Sequence, residues 1–174
     1  VSTMNFFLGT HQPHWLALTD VPLFVSDVTL RKVKTLPRAV GTCSVDSGGF
    51  SELAAHGRWT VPAREYAARV RRYRDEIGGL QWAAIQDWMC EPIMLQKTGL
   101  TVDEHQRRSV DSLLELRALA PDLPWAPVLQ GWCLGEHERH VEMYDAAGVD
   151  LRAEPIVGVG SICKRNGDPR AIAA

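Results

Sequence analysis

The sequence predicts an α/β fold built on a parallel sheet. Three observations carry that prediction. Short apolar runs recur along the chain: Asn5–Gly9, Pro22–Val25, Val40–Val45, Trp82–Ile85, Ala126–Leu129 and Ile156–Val159. They are nearly continuous rather than alternating, as strands covered on both faces are. Helical patterns separate the later runs, giving the strand–helix succession that closes through right-handed crossovers. No linker or low-complexity stretch divides the 174 residues, so one domain is expected.

The elements follow in order. Asn5–Gly9 leads to His11 and His14. Pro22–Val25 leads to Arg31, Lys32, Lys34 and Arg38, a basic run with no acid inside it. On the rim of a nucleic-acid enzyme this run would grip phosphates, and otherwise it is a solvated loop. After Pro62, the residues Tyr66, Val70, Tyr73 and Ile77 share one helical stripe, and Gly78-Gly79 ends the helix. Arg69, Arg71, Arg72 and Arg74 lie off that stripe, on a face expected to be solvated. Thr101-Val102-Asp103-Glu104 has the capping-box pattern and opens a helix that turns Val110, Leu113 and Leu114 inward and stops before Pro121. A third helix is expected from about Gly135 to Gly148, with Val141 and Tyr144 inward and His137 and His140 on its solvated face.

Composition narrows the function. The chain is 45% hydrophobic and 23% charged, enough apolar material for a core and too much for a disordered chain. A net charge of −2 excludes a generic basic nucleic-acid tail. No apolar run approaches the roughly 18 residues that cross a bilayer, and no signal peptide is evident, so no membrane partner and a cytoplasmic location are expected. Cys43, Cys90, Cys133 and Cys163 form no CxxC pair and are expected as small buried hydrophobes.

Two architectures fit these elements, a doubly wound open sheet and a (β/α) barrel. In both, ligands bind at the carboxyl ends of the strands. Neither GxGxxG nor GxxxxGK[ST] is present, which removes the main support for a nucleotide-binding open sheet. The third run ends in Asp46-Ser47-Gly48-Gly49-Phe50, the fourth in Gln86-Asp87-Trp88-Met89-Cys90-Glu91, the fifth in Gln130-Gly131-Trp132 and the sixth in Gly160-Ser161. Successive units thus deliver two carboxylates, a carboxamide and a glycine backbone to one rim. Carboxylates accept from N–H groups, a carboxamide donates and accepts, and glycine admits a flat ligand close to the main chain. A purine-like base suits that set, with Trp88 and Trp132 placed to stack on it.

VDSGGFSEL (Val45–Leu53), QDWMCEP (Gln86–Pro92), VLQGW (Val128–Trp132) and VGVGSI (Val157–Ile162) resemble, in that order, the motifs of the tRNA-guanine transglycosylase superfamily. The resemblance is closest to the deazapurine DNA modification, or DpdA-like, branch, and it spans the chain from about Phe6 to Arg165. It implies a (β/α)8 barrel and exchange of guanine for a 7-deazaguanine, in DNA rather than tRNA, with no cofactor. By the resemblance Asp46 acts at the base pocket as a proton acceptor. Asp87 binds the amine and imide edge, and Gln130 contacts the base carbonyl. Gly160 and Ser161 stand where the family has a Gly-Gly backbone donor. Ser47, Gly48, Gly49, Phe50, Trp88 and Gly131 complete the expected substrate-binding set. Trp88-Met89-Cys90 replaces the Glu-Cys segment of the tRNA enzymes, which favours the DNA branch.

In the family the nucleophilic aspartate follows the sixth-strand glycine motif. Asp168, in the turn Arg165–Pro169, is not assigned that role, and the nucleophile is expected beyond Ala174. With about 250 residues and eight strands to a closed barrel, the chain is expected to be a truncated barrel of about six strands, inactive alone. Two other readings stay open. One is a purine-like base binder without chemistry. The other is a metal-dependent barrel hydrolase using His11, His14, Asp87 and His137, although His11-Gln12-Pro13-His14 lacks the HxH spacing that puts both rings on one strand face. No metal site is expected.

Overall fold

Residues 5–162, the part that the computed structural model describes, alternate short strands with helices. β1 (Leu8–Thr10), β2 (Leu23–Ser26), β3 (Cys43–Asp46), β4 (Leu80–Ala84) and β5 (Trp125–Ala126) form a parallel sheet in the order β1-β2-β3-β4-β5. β6 (Val128–Leu129) pairs in parallel with β7 (Gly158–Val159). Each predicted apolar run overlaps a strand. The fifth is divided at Pro127, which has no N–H to give to a ladder. Ahead of it, the Ala126 carbonyl accepts from the Ile85 N–H at 3.3 Å, and the Pro127 carbonyl itself turns to the Gly158 N–H at 2.8 Å. The run thus pairs with β4 on one side and β7 on the other. The order of the five-stranded sheet has no reversal of the kind that defines a doubly wound sheet.

Side chains alternate across each strand. The odd-numbered Leu23, Val25, Val45, Ala83 and Ile85 join Tyr66, Val70, Val110 and Leu113 in the main core, between sheet and helices. The even-numbered Phe24, Asp46, Trp82, Ala84, Ala126 and Val128 line a cavity on the opposite face.

α3 (Ala63–Glu76) has the predicted stripe: Tyr66, Val70, Tyr73 and Ile77 are each at most 1% exposed. Gly78 and Gly79 follow at φ +75° and +66°, conformations that an L side chain resists. The arginines off the stripe are not simply solvated. Arg69 grips Asp27 with two bonds of 2.8 and 2.7 Å, and Arg71 and Arg74 both hold Asp122. Arg72 reaches Glu76 and the carbonyls of Val33 and Lys34.

α5 (Val102–Leu119) opens with the predicted capping box, the Glu104 N–H donating to Thr101 Oγ1 at 3.2 Å and the Thr101 N–H to Glu104 Oε2 at 2.9 Å. Val110 and Leu113 are buried, but Leu114 is 41% exposed. The inward stripe runs through His105, Ser109, Leu113 and Leu116, and Leu114 is rotated about 100° off it. α6 (Leu134–Ala146) buries Tyr144 and leaves Val141 half-buried. His140, expected in solvent, is fully buried and stacks on Tyr144 with ring centroids 4.9 Å apart.

Three shorter helices escaped the periodicity argument: α1 (Asp27–Leu30), α2 (Gly49–His56) and α4 (Pro92–Thr98). Each has eight residues or fewer, too few turns for an apolar stripe to repeat recognisably. Leu53 of α2 and Met94 of α4 pack with Trp88 and Met89 in a second, smaller core. Cys43 and Cys90 are buried as expected, and burial pushes the Cys43 thiol up to about 11. Cys133, just ahead of α6, is exposed instead, and Cys163 lies outside the described residues.

Candidate functional site

A cavity of about 400 Å³ opens at the carboxyl ends of the strands. Of the residues expected at a base site, Asp46, Gly48, Gly49, Phe50, Asp87, Gln130, Gly160 and Ser161 line it. They come from the ends of β3, β4, β6 and β7.

Asp46 is the last residue of β3. Its Oδ2 accepts the Gly48 N–H at 3.1 Å, within a turn that Gly48 makes at φ +79°. Burial raises the Asp46 pKa above its ordinary value, and the charge of Asp27 adds to this. Hydrogen bonds from Ser26 and Gly48 oppose the rise.

Asp87 reaches the cavity by a slip of phase. By alternation along β4, Gln86 rather than Asp87 belongs on the cavity face. The Asp87 N–H donates to the Ile85 carbonyl at 3.0 Å, an i to i+2 turn centred on Gln86. Gln86 turns away, its Nε2 donating to the Val61 carbonyl at 2.9 Å, and Asp87 takes the inward position. Trp59 Nε1 holds the Asp87 carbonyl at 3.1 Å. Ser47 Oγ donates to Asp87 Oδ1 at 3.2 Å, and Gln130 Nε2 donates to Asp87 Oδ2. Burial and the charge of Asp46 push the Asp87 pKa up to about 6, against the pull of those two bonds.

Gln130 is held by its backbone. Its N–H donates to His140 Nδ1 at 2.8 Å, and its carbonyl accepts from Gln106 Nε2 at 2.7 Å. The same Nδ1 is 3.2 Å from the Gln130 carbonyl, but the shorter contact is with the N–H, which only donates; in that pairing Nδ1 is the acceptor and the proton sits on Nε2, which has no hydrogen-bond partner among the described residues. Burial lowers the His140 pKa to about 4 and keeps the ring neutral. A Cβ at Gly160 would overlap the Gln130 carboxamide, so a larger residue there would displace the side chain that bridges the site. Ser161 has φ +58°, the left-handed conformation that glycine prefers, and its Oγ lies 2.7 Å from Gln130 Oε1.

Four expected residues stand elsewhere. Ser47 is buried and supports Asp87 without lining the cavity. Gly131 packs against α6, where a Cβ would meet the His137 N at 2.9 Å. Trp88 is no cavity wall: its ring meets His105 edge-on at 5.3 Å, and the Arg108 guanidinium lies over it at 4.6 Å. Trp132, 38% exposed, is also outside the lining. Besides the expected Phe50, the aromatic walls are Phe24 and Trp82, centroids 5.0 Å apart. Strand alternation carried a signal for both, since they share the parity of Asp46. Glu91 was also missed as a lining residue, because nothing local marks which way a side chain beyond a strand end turns.

The basic run after β2 is split. Arg31 is bound to Glu52 at 3.1 Å and Arg38 to the Asp75 carbonyl at 3.0 Å, leaving Lys32 and Lys34 exposed. His11 and His14 are exposed, and His137 Nδ1 lies 3.0 Å from the carbonyl of Cys133, the N-cap of its own helix. Among the described residues no group of three or more His, Cys, Asp or Glu is placed to hold a metal ion. No described helix is long and apolar enough to cross a membrane. Arg165 and Asp168 lie outside the described residues.

The chain is thus an α/β protein that carries its polar cavity at the carboxyl ends of parallel strands. It belongs to the DpdA family, deoxypurine in DNA protein A, whose family model matches residues 3–171. Searches of curated proteins and of solved structures returned no significant match.

Proposed function

We propose that the cavity is the base pocket of a transglycosylase that replaces guanine in DNA by a 7-deazaguanine. The observation that carries this reading is the convergence of Asp46, Asp87, Gln130 and Gly160, from four separate strand ends, on one cavity of about 400 Å³. The family description, deoxypurine in DNA, supports DNA as the nucleic acid and a purine-like base as the second partner. The sequential strand order supports a (β/α) barrel, in which this rim is the active face.

In this reading Asp87 accepts from the amine and imide edge of the base, and Gln130 meets its carbonyl. Gly160 lets the ring approach the main chain. Asp46 is the proton acceptor: exchange breaks one bond from the ribose C1′ to a base nitrogen and forms another. The departing guanine gains one proton and the incoming base loses one. The attack on C1′ is assigned to no described residue. The target base leaves its stack at a cost of a few kcal/mol. Trp88, packed against His105, is not available to offset that cost by stacking.

The test is exchange of labelled guanine in DNA and in tRNA by the full-length protein, with 7-deazaguanines as acceptors. Label leaving DNA, with Asp46→Asn and Asp87→Asn each slower by at least tenfold, about 1.4 kcal/mol, supports the reading. Exchange in tRNA alone overturns the choice of DNA. Base binding without any exchange makes the protein a binder, and unchanged kinetics in both variants remove the site.

A further inference from the structure

A groove of about 360 Å³ lies outside the base cavity, between α2 and α4. Phe50 and Ala54 of α2 line it, with Ile93, Met94, Gln96 and Lys97 of α4. Its floor is the smaller core, where Met94 packs with Leu53, Trp88 and Met89. Ile93 is 63% exposed and Phe50 40%. A lone exposed isoleucine is ordinary, but one that shares a groove with an exposed phenylalanine makes a contiguous apolar patch.

Two features say what covers that patch. Phe50 lines both the groove and the base cavity, so the two spaces adjoin there. The far end carries positive charge. Lys97 lines the groove and is exposed. The end of α2 meets the end of α4, since a Cβ at Gly57 would stand 3.1 Å from the Lys97 carbonyl. His56 and Arg58, both exposed, flank that glycine. An apolar hollow that begins at a base cavity and ends in cations matches a nucleotide, which has a flat face to stack and a phosphate to neutralise.

We propose that this groove is a second DNA subsite, which takes the base next to the target nucleotide against Phe50 and Ile93 and a phosphate of the same strand on Lys97. The proposal rests on the DNA-exchange reading. A base drawn into the cavity leaves its neighbour without a stacking partner. Trp88 is packed away from both spaces' open sides, against His105, and the groove supplies the replacement. Stacking is tolerant of sequence, because every base has a flat face.

The experiment is fluorescence anisotropy with the full-length protein and labelled duplex DNA containing one target guanine. Complete DNA is compared with DNA carrying an abasic residue immediately 5′ or 3′ of that guanine. The ratio of complete to abasic affinity is measured in wild type and in Ile93→Ser, a change at an exposed position. Comparing the two proteins cancels the effect of the abasic residue on the duplex itself. For one of the two abasic positions the ratio is expected to be at least fivefold higher in wild type, about 1 kcal/mol. Lys97→Ala is expected to weaken all probes alike and to lower the slope of log affinity against log salt by about one. Equal ratios in wild type and Ile93→Ser at both positions overturn the inference alone, as does an unchanged salt slope in Lys97→Ala. Equal ratios together with a changed oligomeric state of Ile93→Ser in light scattering would give the groove to a second copy of the chain instead. Binding of no DNA probe overturns the DNA reading and this inference with it.

Discussion

Gln130 Nε2 donates to Asp87 Oδ2 and ties the end of β6 to the end of β4 across the cavity. The opposite atom of the same carboxamide, Oε1, meets Ser161 beyond β7. One side chain therefore sets the spacing of three strand ends, and the polar groups of the site depend on one another.

Asp87 ties stability to pH. Its pKa in the fold, about 6, is above its ordinary value of 3.8. The native state therefore binds the proton more tightly than the unfolded chain. The resulting stabilisation is complete below the ordinary value and is lost as pH rises through about 6. Asp87→Asn keeps the shape and removes that loss. Urea unfolding is expected to show the variant more stable than wild type by ~1–3 kcal/mol at pH 8, with the gain shrinking toward pH 4. A difference that does not change with pH would refute the assignment.

His140 acts in the opposite direction. Its pKa falls from an ordinary 6.5 to about 4 in the fold, so its contribution is fully present above 6.5 and is lost as pH falls toward 4. His140→Phe retains a ring against Tyr144 but removes the acceptor of the Gln130 N–H. The expected cost is about 1–3 kcal/mol at pH 7.5, shrinking in acid, where wild type loses its own advantage. Chemical denaturation at several pH values measures both.

Ser161 stores backbone strain at φ +58°. Ser161→Ala loses the hydroxyl and keeps the strain, whereas Ser161→Gly loses both. The glycine variant is expected to be more stable than the alanine variant by about 1–2 kcal/mol. Both variants are expected to bind a base more weakly than wild type, because Gln130 Oε1 is no longer held. Equal unfolding midpoints for the two would contradict the strain.

Asp27 is buried behind Asp46 and takes bonds from Arg69 at 2.8 and 2.7 Å and from the Tyr73 hydroxyl at 2.7 Å. Arg69→Met would leave its charge only the Tyr73 hydroxyl and the more distant Arg31, 3.9 Å away. The expected loss is about 3–5 kcal/mol, read as a lower urea midpoint. A loss below 1 kcal/mol would mean that the pair is solvent-screened.

Much of this site was legible before folding. Asp46, Gly48 and Gly160 follow directly from apolar runs and turn residues, and α3 and the α5 cap follow from helical spacing and capping chemistry. These are local signals, carried by neighbours within a few positions. The position of Asp87 at a strand end was legible too, but the turn at Gln86 that swings it inward depends on the Val61 carbonyl and Trp59, contributed by the segment before α3.

The sequence by itself determined the order of the apolar strand runs and of the three long helices, the parallel character of the sheet and the acid, amide and glycine composition of one rim. Only the tertiary structure decided that Trp88 packs away from the cavity, that Glu91 turns into it, and that His140 is a buried acceptor rather than a solvated base. The reason is physical. Periodicity and turn chemistry arise within a segment, whereas the direction of a side chain beyond a strand end is chosen by the partner it meets, and here those partners lie on other elements of the chain.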